Sequence, residues 1–134
     1  MPSKTLPPRP RSIAAKKTIS IVASLYNEDL VNSLLDSTVH GLRTLIPGIT
    51  VNIYRVPGAF EIPVAVARLT RRKLKRPEAV LCLGVILRGK TKHADHIGHS
   101  VTQSLAQIAI TSGIPVIHEV LLLETKAQAK ARCL

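Results

Sequence analysis

The sequence predicts a three-layer α/β/α sandwich built on a four-stranded parallel sheet, and three observations predict it. Short β-branched or continuously apolar runs alternate with segments of helical spacing through four rounds. A strand, helix, strand, helix order argues for parallel strands joined by crossover helices that cover both faces. Hydrophobic residues make up 46% of the 134 residues, enough for one real core and too little chain for two. Right-handed crossovers make such an arrangement flavodoxin-like, with ligands bound outside the carboxyl ends of the strands.

Each element has its own justification. Thr18 to Ser24 (TISIVAS) is short and β-branched, a buried strand. Asn27, Glu28 and Asp29 suit a helix cap and first turn, and Val31, Leu34, Leu35, Thr38, Leu42 and Leu45 follow at helical spacing. Pro47-Gly48 stops that helix. Ile49 to Tyr54 is the second strand, and after the turn Val56-Pro57-Gly58 a second helix begins with Ile62, Val66 and Leu69. Its end is a basic cluster, six Lys/Arg in the nine residues Arg68 to Arg76, which reads as a solvated helix terminus. Ala79 to Leu87 is the third and most apolar strand. Ile97, Val101, Leu105 and Ile108 mark a third helix, ended by Ser112-Gly113. Ile114 to Leu122 is the fourth strand, and Glu124 to Arg132 a last helix.

Charge and composition narrow the function. The formal charge is +11, which favours a polyanionic partner. Tyr26, Tyr54 and Phe60 are the only aromatics, too few for a base-stacking surface, so neither nucleic acid nor a membrane is an expected partner. The longest apolar run, Ala79 to Leu87, is far short of the ~20 residues that span a bilayer. Cys82 and Cys133 read as reduced thiols in a cytoplasmic protein. Residues 1–17 hold five Lys/Arg, four prolines and no acid, and read as a flexible basic tail before a domain at 18–134.

The loops after the strands carry the chemistry. Arg88-Gly89-Lys90-Thr91-Lys92-His93 opens the third helix, where free N–H groups and the positive dipole end favour an anion. Gly89 permits close backbone approach, Thr91 offers a hydroxyl and Lys90 a charge. Neither a Walker loop nor G-x-G-x-x-G is present. His93 beside that loop suits proton transfer. His93, His96 and His99, with Asp95, invite a metal reading, but successive steps of three drift about 60° around a helix and do not converge on one ion. No metal is expected. Phe60 could cover a flat ligand and Glu61 could bind a sugar hydroxyl, or the two could form a local staple and cap. Tyr26-Asn27 offers a second planar face and an amide.

These segments, I-V-A-S-L-Y-N at 21–27, V-P-G-A-F-E-I-P at 56–63 and G-V-I-L-R-G-K-T-K-H at 84–93, resemble the 6,7-dimethyl-8-ribityllumazine synthase family over about residues 18–134. The resemblance implies the penultimate step of riboflavin biosynthesis. That step condenses 5-amino-6-(D-ribitylamino)uracil with 3,4-dihydroxy-2-butanone 4-phosphate, without metal or organic cofactor. It implies that Tyr26 and Asn27 meet the pyrimidine, that Ala59, Phe60 and Glu61 hold the ribityl chain, and that Val85, Ile86 and Leu87 give backbone contacts to the uracil. It assigns Gly89, Lys90, Thr91 and Arg132 to the phosphate and His93 to acid/base catalysis. His118 and Arg132 would come from a neighbouring subunit of a homopentamer, which can also pair to a decamer or close into a sixty-subunit shell, with riboflavin synthase a further partner. Leu25 stands where many members carry Arg, and His118 where Phe is common. The sequence ends just after Arg132, where the family continues into a loop and a long helix, so an uncovered sheet face is expected. A weakened homologue that carries lumazine or riboflavin is the alternative, and a basic RNA-associated protein a third reading.

Overall fold

The computed structural model describes Pro8 and residues 16–134. Most of the basic tail, residues 1–7 and 9–15, lies outside the described residues. The elements follow in the order β1 (Thr18–Ser24), α1 (Glu28–Leu45), β2 (Thr50–Val56), a 3-10 turn (Ala59–Glu61), α2 (Ile62–Thr70), β3 (Ala79–Leu87), α3 (His93–Ser112), β4 (Val116–Leu123) and α4 (Lys126–Cys133). The four strands form one sheet in the order β2-β1-β3-β4, and every pairing is parallel. The expected fold class holds.

The strand pleat sorts side chains into two cores. Val22, Val80, Cys82, Ile86 and Val120 point to the face covered by Ile62, Val66 and Leu69 of α2 and Val101 and Leu105 of α3. Their sequence neighbours Ile21, Ala23, Leu83, Val85 and Leu123 point to the other face, against Val31 and Leu35 of α1 and Ala129 and Cys133 of α4. Strands buried on both sides favour apolar residues on both faces, which is why β3 reads as a continuous apolar run, while β1 admits only the small Ser20 and Ser24 as polar residues among its buried positions. The edge strand β2 is largely exposed and alternates instead.

Several boundaries differ from the sequence expectation. The second strand runs to Val56 because β1 continues to pair with it through Ser24↔Val56. The fourth strand starts at Val116 rather than Ile114. Helix α2 stops at Thr70, so five of the six cations of the basic cluster lie beyond the helix, in the loop before β3. Lys75 sits there in left-handed backbone (φ 56). Asn27 occupies the α1 cap position, but its side chain makes no cap hydrogen bond. The face expected to lie bare carries α1 and α4 over its middle, while its two edges stay open, with Ile53 of β2 and Ile117 and Glu119 of β4 exposed.

Candidate active site

The strand order reverses between β1 and β3, and the loops leaving these neighbours diverge to opposite faces. That divergence opens a crevice at the carboxyl end. The crevice is a cleft of about 1070 Å³. Its walls come from the loop after β1, the 3-10 turn, the end of β3 and the first two turns of α3.

The β1 loop is fixed from both sides. Leu25 and Tyr26 donate their backbone N–H groups to the carbonyls of Val56 and Pro57 at 2.8 and 3.0 Å. The guanidinium of Arg55, on β2, reaches the carbonyls of Ala23 and Ser24 and the side-chain oxygen of Asn32. Asn27 adopts the left-handed conformation (φ 59), and its amide donates to the Val85 carbonyl at 2.8 Å. One side chain thus ties the β1 loop to the end of β3. Tyr26 is left 74% exposed at the cleft wall, with its ring free to meet a ligand.

The opposite wall is the turn 58–61. Glu61 folds back so that its carboxylate accepts the Gly58 N–H at 3.1 Å, while the Glu61 N–H donates to the Gly58 carbonyl. Capping its own turn fixes Phe60, which stands 63% exposed at the cleft. Below, Gly84 lets this turn sit low. A side chain there would press on Ser24 Oγ at 3.2 Å and on Ile62 at 3.4 Å, where α2 begins.

The loop 88–92 leads into α3. Lys92, at the cap position, makes no side-chain cap bond; the His93 N–H reaches Thr91 Oγ1 at 3.4 Å, and the following first-turn N–H groups of the 20-residue helix lie beside Gly89. A Cβ on Gly89 would meet nothing within 4 Å, leaving that space open to a ligand. Arg88 points away from it. Its guanidinium pairs with Asp95 at 2.7 Å and Glu124 at 3.4 Å, which spends its charge on bracing the loop against α3 and the β4–α4 connection.

Of the residues singled out in the sequence, Tyr26, Asn27, Ala59, Phe60, Glu61, Val85, Ile86, Leu87, Gly89, Thr91 and His93 line this one cleft. Lys90, His118 and Arg132 do not. Lys90 extends into solvent, and Arg132 lies exposed in the last turn of α4. His118 is held on β4: its Nδ1 accepts the Val120 N–H at 3.1 Å, so Nε2 carries the proton toward Thr102 Oγ1 at 2.9 Å. Gly58, Ala94, His96, Ile97, Ser100 and Lys126 also line the cleft and were not foreseen. The signal for two of them is helical: Ile97 and Ser100 share the face of His93 at spacings of four and three. Lys126 comes from the fourth loop region, brought in by α4. Among the described residues no three His, Cys, Asp or Glu gather as a metal ion requires, and no helix is long and apolar enough to cross a membrane.

A doubly wound parallel sheet with an anion-type loop, two exposed aromatic rings and an imidazole at its switch point defines a small-molecule enzyme of the α/β class. Residues 16–134 match the 6,7-dimethyl-8-ribityllumazine synthase family, and the chain belongs to it. It is 40% identical over 115 residues to the 6,7-dimethyl-8-ribityllumazine synthase of Kineococcus radiotolerans, spanning 85% of this chain and 68% of that one. It is 35% identical over 123 residues to the enzyme of the same name from Syntrophus aciditrophicus, spanning 91% and 79%.

Proposed function

We propose that the chain is a 6,7-dimethyl-8-ribityllumazine synthase. It joins 5-amino-6-(D-ribitylamino)uracil to 3,4-dihydroxy-2-butanone 4-phosphate and releases phosphate and water. The observation that carries this reading is the single cleft that holds Tyr26, Phe60, Gly89, Thr91 and His93 side by side. Tyr26 stacks on the pyrimidine, and the backbone at Ile86 and Leu87 reads its edge. The Val85 carbonyl is already taken by Asn27, so Asn27 shapes this wall more than it touches substrate. Ala59, Phe60 and Glu61 hold the ribityl chain. Gly89, Thr91 and the α3 amides receive the phosphate.

The chemistry is proton traffic and one departure of an anion. The uracil amine attacks the ketone and loses water as an imine. A proton then leaves carbon as the C–O bond to phosphate breaks, and the ribitylamino nitrogen closes the ring with loss of a second water. His93 relays these protons, and the helix N-terminus favours the departing phosphate. Electrons balance without an external oxidant. Lys90, His118 and Arg132 act in an assembled oligomer, a homopentamer in this reading. There the half-buried His118 and exposed Arg132 face the cleft of the neighbouring subunit.

The test is to mix the purified protein with both substrates and follow lumazine fluorescence. Product should accumulate, and His93→Ala should lower turnover about 10²-fold, the usual loss for one proton-transfer group. Binding without turnover in the unmodified chain would favour the carrier reading instead.

A further inference from the structure

A second hollow, of about 580 Å³, lies away from the cleft, between the end of α2 and the last turns of α3. Arg71, Arg72, Lys73 and Arg76 line it, together with Gln107 and Thr111 of α3. We propose that this hollow binds an oligophosphate, a chain of linked phosphoryl groups either free or as the tail of a nucleotide.

The first support is uncompensated charge. The chain has eight carboxylate side chains, all among the described residues, and the ion pairs they form with other described residues are those of Arg88 with Asp95 and Glu124. None reaches the six cations at 68–76. Glu78, the acid next in sequence, accepts the Thr18 N–H at 2.6 Å instead. Two helix C-termini offset about half a charge each, which leaves most of the cluster unbalanced.

The second support is that two of the four lining cations, Arg72 and Arg76, are held in place. Arg72 lies over the Tyr54 ring, 5.6 Å from its centroid, with Nη1 3.3 Å from the hydroxyl. Arg76 Nη2 donates to the Ser112 carbonyl across the hollow at 3.4 Å. That reach follows the bend at Lys75, whose left-handed backbone (φ 56) is strained for a lysine. Strain of this kind persists where surrounding structure enforces it, and such places are often ligand sites. Gln107 donates to Thr111 Oγ1 at 3.2 Å, so the Thr111 hydroxyl hydrogen remains available as a neutral donor.

The chemistry of the lining selects the ligand class. Guanidinium forks match phosphoryl oxygens in bidentate fashion. Three arginines and a lysine suit three or four negative charges, more than one orthophosphate carries. The volume falls in the range of small-molecule pockets.

The probe is inorganic tripolyphosphate, titrated calorimetrically into the full chain at ~50 mM salt, where screening is modest. Saturable binding is expected, weakening as salt rises. The double variant Arg72→Gln/Arg76→Gln should bind about tenfold or more weakly, the loss expected for two charge-assisted contacts. Both side chains are exposed, so the thermal midpoint should hold, and lumazine formation should be unchanged. A second pair, Arg71→Gln/Lys73→Gln, gives the same reading if the first fails to fold. ATP binding more tightly than tripolyphosphate assigns a nucleotide, and equal binding assigns the free phosphate chain. No saturable binding, or binding untouched in both variants, overturns the proposal. So does an RNA oligonucleotide that binds here and is not displaced by tripolyphosphate. The cleft reading can fail without affecting any of these outcomes.

Discussion

At the cleft, polar groups are consumed by the protein itself. Arg88 pairs with two carboxylates, Glu61 caps its own turn, Arg55 closes off the carbonyls of Ala23 and Ser24, and the Asn27 amide ends on Val85. In the hollow between the ends of α2 and α3, the backbone and Tyr54 orient the cations but nothing neutralises them. The difference teaches how one small sheet can serve two kinds of recognition. Internal bonding produces a shaped wall, against which flat and polar parts of a substrate are positioned. Orientation without neutralisation produces a directed field, which attracts charge and asks little of shape.

The comparison can be broken first at Asn27. If the cleft is held by internal bonds, losing this one should be felt in both stability and turnover. Asn27→Ala removes the bond to Val85 and leaves alanine in left-handed backbone that asparagine tolerates better, for a combined cost of about 2 kcal/mol. Asn27→Gly keeps the backbone at ease and should cost about 1 kcal/mol. Urea unfolding of the two variants measures the gap between them. Equal costs would mean that the φ of 59° carries no strain. Lumazine formation should fall in both, whereas the arginine variants between α2 and α3 leave it alone.

How much of this was legible in the sequence differs from element to element. β1, β3 and the α3 stop at Gly113 could be read directly, because β1 is short and β-branched, double burial gives β3 its continuous apolar run, and a left-handed cap (φ 72) suits glycine. The cleft residues of the three loops after β1, β2 and β3 were legible because the fold rule names those loops in advance. What the sequence concealed was the use of each polar group. Asn27 looks like a helix cap and is a strand tie; Arg88 opens the loop read as an anion site and is a brace. Both fates depend on partners nearly sixty and thirty-six residues away, Val85 and Glu124, which no local pattern reports. The basic cluster misled in the other direction, since helical spacing gives no sign that α2 stops at Thr70 and leaves its cations in a loop.

Cys82 sharpens the comparison from between the two sites, on β3. Burial pushes its thiol from an ordinary value near 9.0 up to about 12. The native state therefore keeps the proton while the unfolded chain releases it, so stability is complete below pH 9 and falls as pH rises toward 12. The slope approaches about 1.4 kcal/mol per pH unit. Cys82→Ala should lose that part of the alkaline slope, read from urea midpoints between pH 8 and 10.5. Because the core is shared, tripolyphosphate should raise the midpoint at each pH by a similar amount. A slope that survives Cys82→Ala would assign the alkaline loss to other groups.

The smallest effect concerns the one buried polar side chain near the cleft that, among the described residues, lacks a partner. Ser24 is 1% exposed, and among the described residues its hydroxyl has no hydrogen-bond partner. It lies against the site of a missing Gly84 side chain, close to Ile62 where the Phe60 turn meets α2. An unpaired buried hydroxyl forfeits its bond to water, a cost of order 1 kcal/mol or more, and loses little packing when removed. Ser24→Ala should therefore stabilise the chain by about 0.5–1 kcal/mol, seen as a higher urea midpoint at unchanged slope. A lower midpoint would show that the hydroxyl has a partner, and an ordered water beneath the cleft floor is the partner that would fit. The contrast would then be complete: every polar group under the cleft bonded, and the cations beside α2 and α3 still unneutralised.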